Sequence, residues 1–117
     1  MMTKYDIEIS DQMFDKKMAC FVNQFYKILP IKESGEPSLT QYMRSLQREM
    51  LGCKGLITAL DNDAQYLSLL SILEYLIDND CDVATVKSDV FRAIGIIKRM
   101  RAQYAKKAGG DSNERMG

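Results

Sequence analysis

A chain of 117 residues, 46% of them apolar and 27% charged, has the material for one domain with one core, and that balance argues against disorder over most of its length. Sixteen basic and sixteen acidic side chains cancel, and there is no histidine. This excludes Ser-His-Asp and Cys-His mechanisms, histidine acid–base work and imidazole metal ligation. No apolar run approaches the roughly 20 residues of a membrane span. The acidic start Tyr5-Asp6-Ile7-Glu8 is unlike a signal peptide, so a cytoplasmic protein is expected.

The first helix is predicted to open at Ser10 or Asp11 and to bury Phe14, Met18, Phe21, Phe25 and Ile28, which recur at four- and three-residue steps. Met13, Val22, Tyr26 and Leu29 widen that face. Pro30 is expected to end the helix, and residues 31–37 to form an exposed loop. A second helix is predicted from a Ser38 cap, with Leu39, Tyr42, Met43, Leu46, Met50, Cys53, Ile57 and Leu60 on one face. Gly52 and Gly55 interrupt it and leave three readings open: a bend, a break into two helices, or a close crossing with a neighbour.

Asp61-Asn62-Asp63 reads as turn and cap before a third helix, 64–78, the most apolar of the set and so expected at the centre. A fourth helix is predicted from Val83 or Thr85 to Lys107, with Val83, Val86, Val90, Ile94, Ile97 and Tyr104 inward and Phe91 beside them. Ala108-Gly109-Gly110 is expected to stop it, giving one helical domain over 1–110 and a flexible tail over 111–117. Only 5–9 alternate with a strand-like period, and an edge strand there has no obvious partner. The expected fold is all-α, a compact bundle of four to six helices.

Cys20, Cys53 and Cys81 are odd in number and lack a CxxC pair, which argues against a disulfide framework or a thiolate metal site. They are expected as buried small apolar residues. Met13, Met18, Met43, Met50 and Met100 fall in helices and are expected mostly in the core. No phosphate-binding glycine loop is present, and no enzyme activity or cofactor is expected.

Charge is unevenly distributed. Residues 61–82 carry six acidic side chains and no basic one, whereas residues 83–117 carry eight basic and three acidic ones. The acids are Asp61, Asp63, Glu74, Asp78, Asp80 and Asp82. Capping accounts for one or two of them, and the others are expected to present an acidic surface to a basic partner. Asp78, Asp80 and Asp82 match the first ligands of an EF-hand loop, but Val83 replaces the required glycine and Asp89 the bidentate glutamate, so no metal site is expected. The basic residues Lys87, Arg92, Lys98, Arg99, Arg101, Lys106 and Lys107 read as spread around the fourth helix, without interleaved aromatic residues. Direct nucleic-acid binding is therefore not favoured.

The stretch Leu69-Leu70-Ser71-Ile72-Leu73-Glu74-Tyr75-Leu76-Ile77-Asp78, followed by Asp89-Val90-Phe91-Arg92-Ala93-Ile94, resembles the immunity proteins of bacterial contact-dependent growth inhibition systems. The resemblance implies a monomer that neutralises a cognate toxin domain, commonly a basic nuclease, in a one-to-one complex. Asp61, Asp63, Asp78, Asp80 and Asp82 would then face the toxin, with Tyr75 as an aromatic anchor. Two alternatives stand beside it: a nucleic-acid-binding regulator using Arg92, Lys98, Arg99 and Arg101, and a small secretion chaperone or adaptor.

Overall fold

The computed structural model describes the backbone of residues 1–116 and the side chains of residues 1–107. Six helical elements follow one another: α1 (Asp11–Tyr26), α2 (Ile28–Glu33), α3 (Leu39–Leu56), α4 (Thr58–Asp61), α5 (Ala64–Asp78) and α6 (Val83–Met116). The architecture is an all-α bundle, with no named strand among the described residues. Helix α6 runs through the stop expected at 108–110 to Met116, and the side chains of the tail expected over 111–117 lie outside the described residues.

Pro30 does not end the first helical run; it lies within α2. A proline ring crowds the carbonyl four residues upstream and leaves it without its amide partner. That carbonyl belongs to Tyr26, and the break between α1 and α2 falls there, at Lys27. Three of the seven residues of the expected 31–37 loop, Ile31, Lys32 and Glu33, are consequently helical. The turn is made at Gly35, whose φ of 68° suits glycine. Ser10 caps α1 as expected, its Oγ accepting from the Met13 amide at 3.0 Å. Ser38 occupies the cap position of α3 but makes no side-chain cap bond, and its hydroxyl donates to Glu36 instead.

The second helical region breaks at Ile57, not at either glycine. Ile57 is extended, with φ −98° and ψ 116°, and its side chain is buried. The N-terminal segment satisfies the opened backbone: Lys4 N–H donates to the Leu56 carbonyl at 2.8 Å, and Thr58 N–H to Met2 at 3.3 Å. The alternating stretch 5–9 is not a strand, and the pairing with 56–58 is made by Met2, Thr3 and Lys4. The segment is a tight turn with Asp6 at φ 60°, bridged to itself and to Ile57 and pinned by buried Thr3, whose Oγ1 accepts from the Tyr5 and Ile7 amides. A Cβ on Gly52 or Gly55 would meet nothing within 4 Å, so neither marks a close crossing.

The core holds Phe14, Met18, Phe21, Phe25 and Ile28 from the first region, and Met43, Leu46, Met50, Ile57 and Leu60 from the second. It is completed by Tyr66, Leu69, Leu73 and Leu76 of α5 and by Val86, Val90, Ile94, Ile97 and Met100 of α6. The faces expected from sequence fail at their edges: Met13, Tyr26, Val83 and Phe91 are exposed. Cys20 is exposed, and Cys53 and Cys81 are half-buried, against the expectation that all three are core residues. The centre of the bundle is also displaced. The most apolar helix, α5, packs against α3 and α6, whereas α6 packs against α1, α2 and α5. Length decides this, because a long helix offers several partners a contact along its axis.

Polar contacts tie the layers together. Tyr66 donates its buried hydroxyl to the Met50 carbonyl at 2.6 Å, joining α5 to α3. Asp15 takes a two-pronged bond from Arg101 at 2.8 and 2.9 Å, joining α1 to α6. Glu49 of α3 receives Lys17 and Gln24 of α1.

Candidate functional site

The acidic residues do not form one patch. Asp61 and Asp63 lie at the N-terminal end of α5, Asp78 is its last residue, and Asp80 and Asp82 lie beyond its C-terminal end. Fifteen residues of helix separate the two groups by about 22 Å. At the first end both carboxylates are engaged inside the molecule. Asp61 is clamped by Lys54 at 2.9 Å and Lys4 at 3.1 Å, and these two lysines, Lys54 first, hold its carboxyl below the ordinary range. Asp63 Oδ1 accepts from the Gln65 and Tyr66 amides and so caps α5, while Oδ2 accepts from Tyr104 at 2.6 Å. Neither has charge to spare for a partner.

At the other end Asp82 is the cap of α6, accepting from the Thr85 amide at 2.8 Å. Hydrogen bonds from the Thr85 side chain and backbone lower its pKa. Asp80 stands fully in solvent, with Lys32 at 3.5 Å, an exposed pair of little energetic weight. Asp78 is exposed and has no hydrogen-bonded or ionic partner among the described residues. Glu74, also exposed, accepts from Gln47 of α3 at 3.3 Å. Of the six acids, Glu74, Asp78 and Asp80 therefore retain charge directed to solvent.

Tyr75 lies on the same helix, one residue beyond Glu74 and three before Asp78, and it is 50% exposed. Its ring lines an open groove of about 540 Å³ between α5 and α6, together with Leu67, Ser71, Ile72, Arg92 and Ile96. The groove exists because small serines at 68 and 71 face the shoulder of α6, where larger side chains would fill the gap. Leu67 is 42% exposed at its far end, although it belongs to the most apolar helix of the set. Sequence reasoning singled out Tyr75, and Arg92 for the nucleic-acid alternative alone, but missed Leu67 and Ser71. The i, i+4, i+8 spacing of Leu67, Ser71 and Tyr75 was the available signal, obscured by the apolar content of the whole helix.

Among the described residues no group of three or more Cys, Asp or Glu side chains is placed to hold a metal ion, and no helix is long and apolar enough to cross a membrane. No family model, curated protein or solved structure matches the chain.

Proposed function

We propose that the chain is a stoichiometric protein inhibitor of the immunity type, which binds one copy of a basic toxin domain in the cytoplasm and occupies the surface its substrate needs. One observation carries this reading. Tyr75, half exposed at an open groove that Arg92 also lines, shares α5 with the solvent-directed Glu74 and Asp78, and Asp80 follows two residues beyond the helix end. Tyrosine and arginine above a pocket are the residue types that concentrate binding energy at interfaces. Exposed acids along the same stretch of chain speed and orient docking of a basic partner. A domain that cleaves nucleic acid must hold phosphates, so its working cleft is basic and complementary to this edge. Asp61, Asp63 and Asp82 support the fold and are not assigned to the contact.

The test is coexpression of the tagged chain with the neighbouring reading frames of its native host. The reading requires a one-to-one complex with a basic domain that is toxic alone and harmless in the complex. Tyr75→Ala should then weaken that complex at least about 30-fold, the equivalent of a hot-spot loss of about 2 kcal/mol. Asp78→Lys with Asp80→Lys should slow association most at low salt. Full protection by both variants would remove this surface from the mechanism.

A further inference from the structure

Helix α6 presents one face to solvent, and through Lys107 that face carries no carboxylate. At 3.6 residues per turn, Lys87, Phe91, Arg92, Lys98, Arg99 and Lys106 fall within an arc of about 140°, and all six are exposed. Five of the seven basic residues of the helix up to Lys107 therefore share one face, with Arg101 and Lys107 outside it. Arg101, which points elsewhere, is engaged by Asp15. Asp89, the one acid of α6 up to Lys107, is largely covered on the flank, 3.6 Å from Arg92. Gly95 lies at the middle of the arc, and only the Arg99 guanidinium comes within 4 Å of a Cβ placed there. Packing does not require a glycine at this point. Its helix cost of about 1 kcal/mol relative to alanine leaves the backbone open to close approach.

Aromatic residues are interleaved with these cations. Phe91, 46% exposed, meets Tyr26, 39% exposed, edge-on at a centroid distance of 6.1 Å. Lys27 follows Tyr26 at the α1–α2 junction and is also exposed. Lys87 precedes Phe91 by one helical turn, and Lys98 follows it two turns later. An aromatic pair kept in water between lysines contributes little to the core.

We propose that this face binds single-stranded nucleic acid, with phosphates held by Lys87, Lys98, Arg99 and Lys106 and unpaired bases stacked on Phe91 and Tyr26. Exposed rings offer stacking only to bases outside a duplex, and a cationic track beside them follows the backbone. An anionic membrane would also attract the cations. However, an interfacial helix inserts a broad apolar face, and the apolar face of α6 is occupied by the core. The inference does not depend on the partner surface at Tyr75.

The experiment is fluorescence anisotropy of the full chain with labelled RNA and DNA strands of about 16 nucleotides and with the matching duplex, between about 50 and 200 mM salt. Single strands are expected to bind more tightly than duplex, with log affinity falling by about 0.7 per phosphate contact for each unit of log salt. Lys98→Glu with Arg99→Glu should reduce binding and flatten that slope. Phe91→Ala should weaken binding between about 5- and 150-fold while leaving the slope unchanged. Circular dichroism establishes that the variants remain helical. No binding at the lowest salt, equal affinity for duplex with no effect of Phe91→Ala, or binding only to phosphatidylserine vesicles would each overturn the proposal.

Discussion

Asp63 and Tyr104 share a hydrogen bond of 2.6 Å, so that the residue capping α5 also anchors α6. One carboxylate oxygen takes the two first-turn amides of α5 and the other takes the phenol. Burial first, and the Asp63 bond second, raise the Tyr104 pKa. The acidic turn that reads as partner surface in the sequence is thus a structural joint.

Asp63→Ala is expected to cost about 2 kcal/mol, combining a lost helix cap with a lost charge-assisted bond. Tyr104→Phe should cost about 1 kcal/mol. The two should couple in a double-mutant cycle measured by urea unfolding, because both remove the same contact. Strict additivity would mean that the phenol contributes nothing to the joint.

Gly52→Ala and Gly55→Ala should each stabilise the chain by about 0.5–1 kcal/mol. Both glycines are helical, neither has positive φ, and an added methyl meets nothing within 4 Å. Thermal unfolding of the single variants measures this. A fall in Tm for either one would show that the backbone there needs glycine.

Leu73→Ala and Leu67→Ala separate core from groove on one helix. Leu73 is fully buried, and its truncation should cost about 2–5 kcal/mol through the cavity left behind. Leu67 is exposed, and its loss should change stability by no more than about 0.5 kcal/mol. Denaturant titration compares them directly; similar losses at both sites would place Leu67 in the core.

Acid sensitivity should be carried in part by Glu49. Lys17 first, then Gln24, hold its carboxyl below the ordinary value. A carboxyl depressed in the folded chain adds stability above its unfolded pKa of about 4.3 and loses it as pH falls through the lower folded value. Glu49→Gln should therefore be less stable than the parent at neutral pH, with the gap closing in acid. Both side chains are more than a third exposed, so solvent screening keeps the gap modest. Urea midpoints across the acid range would show it, and a pH-independent gap would assign the effect to packing.

Much of the fold is legible in the sequence because it is local. Spacing at three and four residues marks the buried stripes of Phe14 to Ile28 and Met43 to Leu60, and the asparagine and aspartate turns around α5 place its ends correctly. The edges of the faces are not legible. Whether Met13, Leu67 or Phe91 is covered depends on which neighbour lies across from it and how large that neighbour's side chains are, and hydrophobicity alone does not carry that information.

By itself the sequence determined the class of the fold, the positions of most helices and the residues at the centre of each apolar stripe, since helix periodicity and caps act within a few residues. Only the tertiary structure decided how charge is used. Asp61, Asp63 and Arg101 find partners at Lys4, Tyr104 and Asp15, which lie 57, 41 and 86 positions away along the chain. A charge is free or committed according to what the folded chain brings within about 4 Å of it, so the solvent-directed acids toward the end of α5 and the cationic face of α6 emerge only once those distant pairs have formed.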